Sequence, residues 1–174
     1  MSTTALVQII TILVPATGIL LLLAAALQDI ATRTIPNGLV VGVAGIGFIR
    51  QIVEGSALPG LLAFAVVLIA AILCWRGGFI GGGDAKLLAA ASLMVFPGQV
   101  LALIPAIAIG GGLLSLLYLI VTPLCTSRRP AAKSRARWLF ARILRVERHR
   151  LRHGITLPYA AAIAAGTIFV VWRG

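Results

Sequence analysis

The stretch GGFIGGGDAKLLAA, residues 77–90, sets a single carboxylate, Asp84, between three glycines and the start of an apolar run. Only four acidic residues occur in the 174-residue chain, so this placement calls for a reason. An aspartate that caps a helix N-terminus contributes about 1 kcal/mol, which is one reason. A second arises if the run lies in hydrocarbon, where charged side chains are costly and mark function. The fold therefore turns on whether the sequence around Asp84 belongs to a membrane.

Composition answers that question. Apolar residues make up 60% of the chain and charged residues 11%, with a mean hydropathy of +1.09, far from the averages of soluble domains. Apolar runs lie at residues 5–27, 38–53, 58–75, 87–96, 100–124 and 157–172. The fourth is short for a crossing. Read as a hairpin turned at Pro97-Gly98, however, residues 87–124 offer about 57 Å of helix, enough for two passes through about 30 Å of hydrocarbon. The expected fold is an all-α membrane protein, a polytopic bundle of six transmembrane helices forming one domain over residues 1–174. No Lys or Arg precedes Arg33, so the first run lacks the basic start of a cleaved signal peptide and is expected to be retained.

Six passes put both termini on one face and residues 28–37, 76–86 and 126–156 on the other. The second set carries Arg33, Arg76, Lys86 and the ten basic residues between Arg128 and Arg152, thirteen of the fifteen Lys and Arg in the chain. Arg50 and Arg173 lie opposite. By the positive-inside rule the basic loops are cytoplasmic and both termini face outward. The longest of these loops contains SRRPAAKSRARWLFARILRVERHRLRHG, residues 127–154, where arginines alternate with Trp138, Phe140 and Leu144 in a way that suits a helix lying on anionic headgroups. Such charge is the general signal of an inward loop, and no nucleic-acid partner is expected from it. His149 and His153 stand four apart without the glutamate of an HExxH pattern, and Cys74 and Cys125 are isolated beside apolar runs, so neither a metal site nor a disulfide framework is expected.

Two of the four acidic residues have ordinary explanations. Glu54 falls in the outer turn VEGSALPG and Glu147 among arginines, as solvated or ion-paired groups. The aspartates differ. Asp29 follows ILLLLAAALQ at the end of the first run, where a helix C-terminus repels an anion, and Asp84 opens the fourth. Taken singly, Asp29 can pair with Arg33 and Asp84 can cap a helix. Taken together, they are expected at one membrane face on different helices, where they converge. Gly81, Gly82 and Gly83 allow either an irregular turn past which a substrate backbone moves closely or tight helix packing. Two converging carboxylates can split water when one is ionised and one protonated. The first takes a proton from the attacking water, and the second donates a hydrogen bond to the carbonyl oxygen. That chemistry needs no metal and no cofactor.

At this point the motifs resemble a known family. DIATRTIPN, residues 29–37, looks like the first aspartate motif of the type IV prepilin peptidases, and GGGDAKL, residues 81–87, looks like their GxGD motif with its following lysine. LPYAAAIAAG, residues 157–166, is similar to the final span of short, Tad/Flp-type members. The resemblance implies that Asp29 and Asp84 form a catalytic dyad and that the substrate is a prepilin or pseudopilin precursor cut at the cytoplasmic face of the inner membrane. Gly81, Gly82, Gly83, Lys86, Pro36 and Asn37 are then expected to shape the site, Pro36 and Asn37 as a fixed turn followed by a helix N-cap. Lys86 is either a counter-charge or an interfacial cation. Longer relatives carry a cytoplasmic domain between their first spans and N-methylate their product. Here the first run leads straight into Asp29, which argues against methyl transfer.

Two other classes stand beside this reading. A polytopic carrier or pilus-assembly component could use Asp29 and Asp84 for ion coupling, although no inverted repeat is visible. A GxGD protease of the presenilin type is expected to carry Tyr before its first aspartate, where this chain has Gln28. The orientation is tested with reporter fusions. One placed after Gly154 should report the cytoplasm and one after Gly174 the outer side, and the reverse pattern overturns the topology.

Overall fold

Without water to bond to, a backbone satisfies its own N–H and C=O groups most simply as a helix, and Leu and Ala, which dominate these runs, suit that structure. A computed structural model describes residues 3–126 and 158–173. Among these, the elements follow in the order α1 (Thr3–Thr32), α2 (Asn37–Val53), α3 (Ala57–Arg76), α4 (Gly82–Ser92), a 3-10 turn (Pro97–Gln99), α5 (Val100–Thr126) and α6 (Tyr159–Arg173), with no strand. The basic segment 127–154, with Glu147, His149 and His153, lies outside the described residues.

Five of the six apolar runs coincide with helices to within a few residues. α1 continues past Leu27 to Thr32, so Asp29 sits in its last turn rather than in a loop. The fourth run is the exception: its helix begins at Gly82, ahead of residue 87, and stops at Ser92 rather than reaching residue 96. By length and composition, Ile10–Thr32, Ala57–Arg76 and Pro97–Leu117 are able to cross a membrane, while Asn37–Val53 and Tyr159–Arg173 are shorter apolar helices. The 11 residues of α4 rise about 16 Å, half a hydrocarbon thickness.

This short helix is enclosed by its neighbours. α2, α3 and α6 all pack against it, and Leu87, Ala89, Ala90 and Ala91 are buried on successive faces, the pattern of a helix enclosed all round. Its alanines let neighbouring helices approach closely. By contrast Leu20, Leu27, Val66, Leu73 and Leu101 point outward and are well exposed, a surface suited to lipid rather than water.

The end of α4 explains why it can stop early. Ser92 Oγ donates to Ala89 O at 2.7 Å, and the Leu93 and Met94 amides bond three residues back, tightening the last turn. Phe96, held extended before Pro97, then leaves the helix. The carbonyls of Leu93, Met94 and Val95 are left without helical partners in a buried region. Two neighbours on α2 supply them. Gln51, fully buried, donates its Nε2 to Leu93 O at 2.9 Å and to Val95 O at 2.8 Å, while its Oε1 accepts from Ser56 Oγ at 2.7 Å. Arg50 donates to Met94 O and to Glu54 Oε1 and stacks over the Phe96 ring, 5.0 Å from its centroid. Arg50 is therefore a buried structural cation, where the sequence suggested an outer-face charge, and Glu54 is ion-paired. The helices meet so tightly here that a Cβ on Gly47 would lie 2.7 Å from Leu93 Cβ and 2.9 Å from its carbonyl carbon.

Replacing Gln51 with Leu leaves two buried carbonyls unpaired. It is expected to cost about 2–4 kcal/mol, read as a lowered thermal midpoint of the detergent-solubilised protein. An unchanged midpoint would show that the clamp does not hold α4.

Candidate active site

α1 and α4 each bring one carboxylate to a common cavity. Asp29, only 7% exposed, lies in the last turn of α1, where the helix dipole opposes negative charge. The start of α6 offsets this: the Ala160 N–H points at Asp29 Oδ2, 3.4 Å away. Pro158 precedes that helix without an N–H of its own, and the first-turn amides behind it form a natural place for an anion. Negative charge at Asp29 is stabilised by the N-terminus of one helix while the C-terminus of its own opposes it.

Asp84 is the third residue of α4, and Gly81 occupies the cap position with φ −70° and ψ 148°. Asp84 is thus not the N-cap. Its carboxylate reaches back and accepts from the Gly81 N–H, as the third residue of a capping box does. A Cβ at Gly81 would stand 2.8 Å from Asp84 Oδ2, so a side chain here would have to push the carboxylate aside. Gly82 and Gly83 are helical rather than irregular. Their bareness accommodates the Trp75 indole and the Ile35 side chain.

The cavity has two lobes. One, of about 520 Å³, is lined by Asp29, Arg33, Gly78, Phe79, Ile80, Gly81, Asp84 and Tyr159. The other, of about 360 Å³, is lined by the same two carboxylates with Arg33, Thr34, Ile35, Asn37, the three glycines and Lys86. Asp29, Arg33, Gly81 and Asp84 are common to both, so the acidic pair stands where the lobes meet. Lys86 Nζ donates to Asn37 Oδ1 at 3.3 Å. Asn37 is the first residue of α2 rather than its cap. Pro36 takes the cap position, accepts from the Leu39 amide at 3.1 Å, and lines neither lobe.

Arg33 follows α1 with φ +57°, the sole non-glycine residue at positive φ among the described residues. Its amide donates to Asp29 O at 2.8 Å, the single bond of a left-handed helix stop. That backbone costs a side-chain-bearing residue about 1–2 kcal/mol relative to the right-handed region.

Asp84 precedes the fourth apolar run, and its carboxyl is raised from 3.8 to about 6. Burial is the main cause and the charge of Asp29 the second, while the Gly81 N–H and Arg33 pull the other way. One carboxylate with an N–H donor aimed at it and another that keeps its proton to about pH 6 form an acid–base pair able to act on water. Sequence reasoning placed Asp29, Asp84, Lys86, Asn37 and the three glycines at this cavity. It missed Tyr159, Phe79, Ile80 and the Ala160 amide. Pro158-Tyr159 was the available signal, since a proline followed by an aromatic residue marks where α6 starts.

Fold and cavity together define a helical, membrane-associated protein with paired carboxylates at helix ends. The chain belongs to the type IV leader peptidase family, whose model matches residues 16–122, from within α1 through most of α5, and takes in both aspartates. The family's role is the general one of a peptidase acting on leader sequences. No curated protein and no solved structure matches the chain.

The raised Asp84 value carries a sign for stability. The folded state holds this proton more tightly than the unfolded chain, so Asp84 favours folding most below about pH 4, and that contribution is lost as pH rises to about 6. Asp84→Asn should flatten this part of the curve, raising the thermal midpoint relative to the parent at pH 7.5 more than at pH 4. Parallel curves for the two proteins would contradict the burial of a charge at Asp84.

Proposed function

We propose that the protein is an aspartyl endopeptidase that removes the leader peptide of type IV, Flp-like prepilins or pseudopilins at the cytoplasmic face of the inner membrane. The observation that carries this reading is the meeting of Asp29 and Asp84, from opposite kinds of helix end, at the junction of a two-lobed cavity. A precursor laid across that junction exposes its scissile carbonyl to a water held between the carboxylates. Asp29, ionised and facing the Ala160 amide, takes the proton of the attacking water. Asp84 holds a proton and hydrogen-bonds the carbonyl oxygen as it gains charge. Asp29 then passes this proton to the leaving amine as the tetrahedral species collapses, which restores one ionised and one protonated carboxyl.

Gly81 supports this reading because a bare backbone beside Asp84 leaves a path for an extended chain. In the proposed arrangement the protein crosses the bilayer several times, and the basic segment 127–154 rests against anionic headgroups. Residues 33–36 alone link α1 to α2, without the inserted domain of longer relatives, so methyl transfer forms no part of the proposal.

Asp29→Asn and Asp84→Asn are each expected to reduce precursor cleavage by the purified full-length protein at least about 10²-fold. The double variant should be little worse, because the two residues act as one unit. Mass determination of the products from an Flp-like precursor reads the result. A folded single variant that still cuts at near the parental rate would refute the aspartyl mechanism.

A further inference from the structure

We propose that Arg33 is a positioning residue of the site: its guanidinium, carried on the left-handed residue that ends α1, faces both carboxylates and holds the pair at one net negative charge. The inference rests on reading Asp29 and Asp84 as a working pair, and it concerns what keeps that pair in its mixed protonation state.

Three observations converge on Arg33. It lines both lobes of the cavity, in each case together with both aspartates. Its Nε and Nη1 atoms are shielded from solvent, unlike those of a cation that merely marks an inward loop. Its backbone is tied to the very residue that bears one carboxylate, through the Arg33 N–H to Asp29 O bond of 2.8 Å, so the two move as a unit. A helix stop at φ +57° is met best by glycine, and retention of a long cationic side chain there gives the strained position a use.

Charge balance says what that use is. With one proton shared between the aspartates, the pair and Arg33 sum to zero. With no proton or with two, the shielded site carries a net charge. The burial of Asp29 and of the Arg33 Nε and Nη1 atoms favours the neutral sum. Among the described residues, Asp29 and Arg33 are the charges that act on Asp84. Lys86, on α4 itself, opens onto the second lobe and bonds to Asn37, while Tyr159 of α6 faces the first. α2 and α3 contribute no charged side chain to either lobe. Arg33 is therefore the cation placed to oppose a second proton on the pair and to limit the repulsion that follows its loss.

The chain makes this testable, because Asp29 and Asp84 are its only aspartates. Full-length protein in detergent, labelled with 13C at the aspartate carboxyl, gives two resonances, both from the site, and Asp84→Asn assigns them. Titrating Arg33→Gln and Arg33→Gly should move the Asp84 midpoint up by about one pH unit, the effect of removing one partly screened opposite charge nearby. Arg33→Lys should leave it close to the parental value. Arg33→Gly suits the left-handed backbone and so separates loss of charge from loss of fold. The alkaline limb of kcat/KM for precursor cleavage should move with the resonance and return in Arg33→Lys.

An Asp84 midpoint that stays in place in the Gln and Gly variants, or moves as far in the Lys variant, overturns the role of Arg33. The two readings fail separately. Unmoved resonances in an active enzyme reject the Arg33 proposal alone. The expected shift in a parental protein that cuts no precursor supports the Arg33 coupling and rejects the peptidase reading.

Discussion

Backbone carbonyls that leave a helix inside an apolar bundle must find donors, and the arrangement at the end of α4 depends on meeting that demand. Leu93, Met94 and Val95 present three such groups, and Gln51 and Arg50 of α2 answer them. Because they are answered, α4 can stop at Ser92, surrounded by α2, α3 and α6, with these three carbonyls paired. An 11-residue helix fixed at one end then has its other end, with Asp84, within the body of the protein instead of projecting beyond it. The clamp needs an amide side chain with both donor and acceptor in use, a guanidinium shared among a carbonyl, a carboxylate and a ring, and a glycine at position 47.

The chemistry at the opposite end follows from placing like groups in unlike surroundings. Asp29 sits at the negative end of α1 and at the positive start of α6, so its charge is opposed by its own helix and supported by another. Asp84 sits in the first turn of its own helix with a backbone donor, yet burial and the charge of Asp29 outweigh both that donor and Arg33. Two carboxylates of the same intrinsic acidity thereby stand in different surroundings, and the proposed mechanism uses that difference to make one the acid and the other the base.

Much of this was legible in the sequence. Residues 38–53, 58–75 and 100–124 coincide with α2, α3 and α5 because apolar runs bounded by Gly, Pro and charged residues leave little choice of element. The two aspartates drew notice because carboxylates are rare in such a chain. The length of α4 was not legible. Residues 87–96 are apolar apart from Ser92, and a run buried on nearly every face shows no periodicity to mark where its helix ends. Its stop is set by Gln51 and Arg50, more than 40 residues away in sequence, where Arg50 read as an outer-face charge. The caps shifted by one position or more, with Pro36 and Gly81 taking places expected of Asn37 and Asp84, since a side chain able to cap can equally serve from inside the first turn. The Ala160 amide has no side-chain signature of its own, being a backbone donor whose one sequence signal is Pro158-Tyr159 at the start of α6.

Stability and chemistry are consequently divided between the two ends of one short helix. The clamp residues lie about 16 Å along α4 from the carboxylate, beyond the range at which substitutions ordinarily couple except through the helix itself. Close packing of Ala89, Ala90 and Ala91 makes that helix a stiff spacer, so a disturbance at Gln51 reaches Asp84 as displacement of a rigid body rather than as a change in local acidity. At the other end, Gly81 combines two functions that a residue with a side chain cannot: its N–H bonds to Asp84, and its missing Cβ leaves the carboxylate open to the cavity. The helix thus carries its anchoring groups where the surroundings are closed and its bare backbone where they are open. On the proposed function, this asymmetry suits an element held firmly while presenting an acid to another chain.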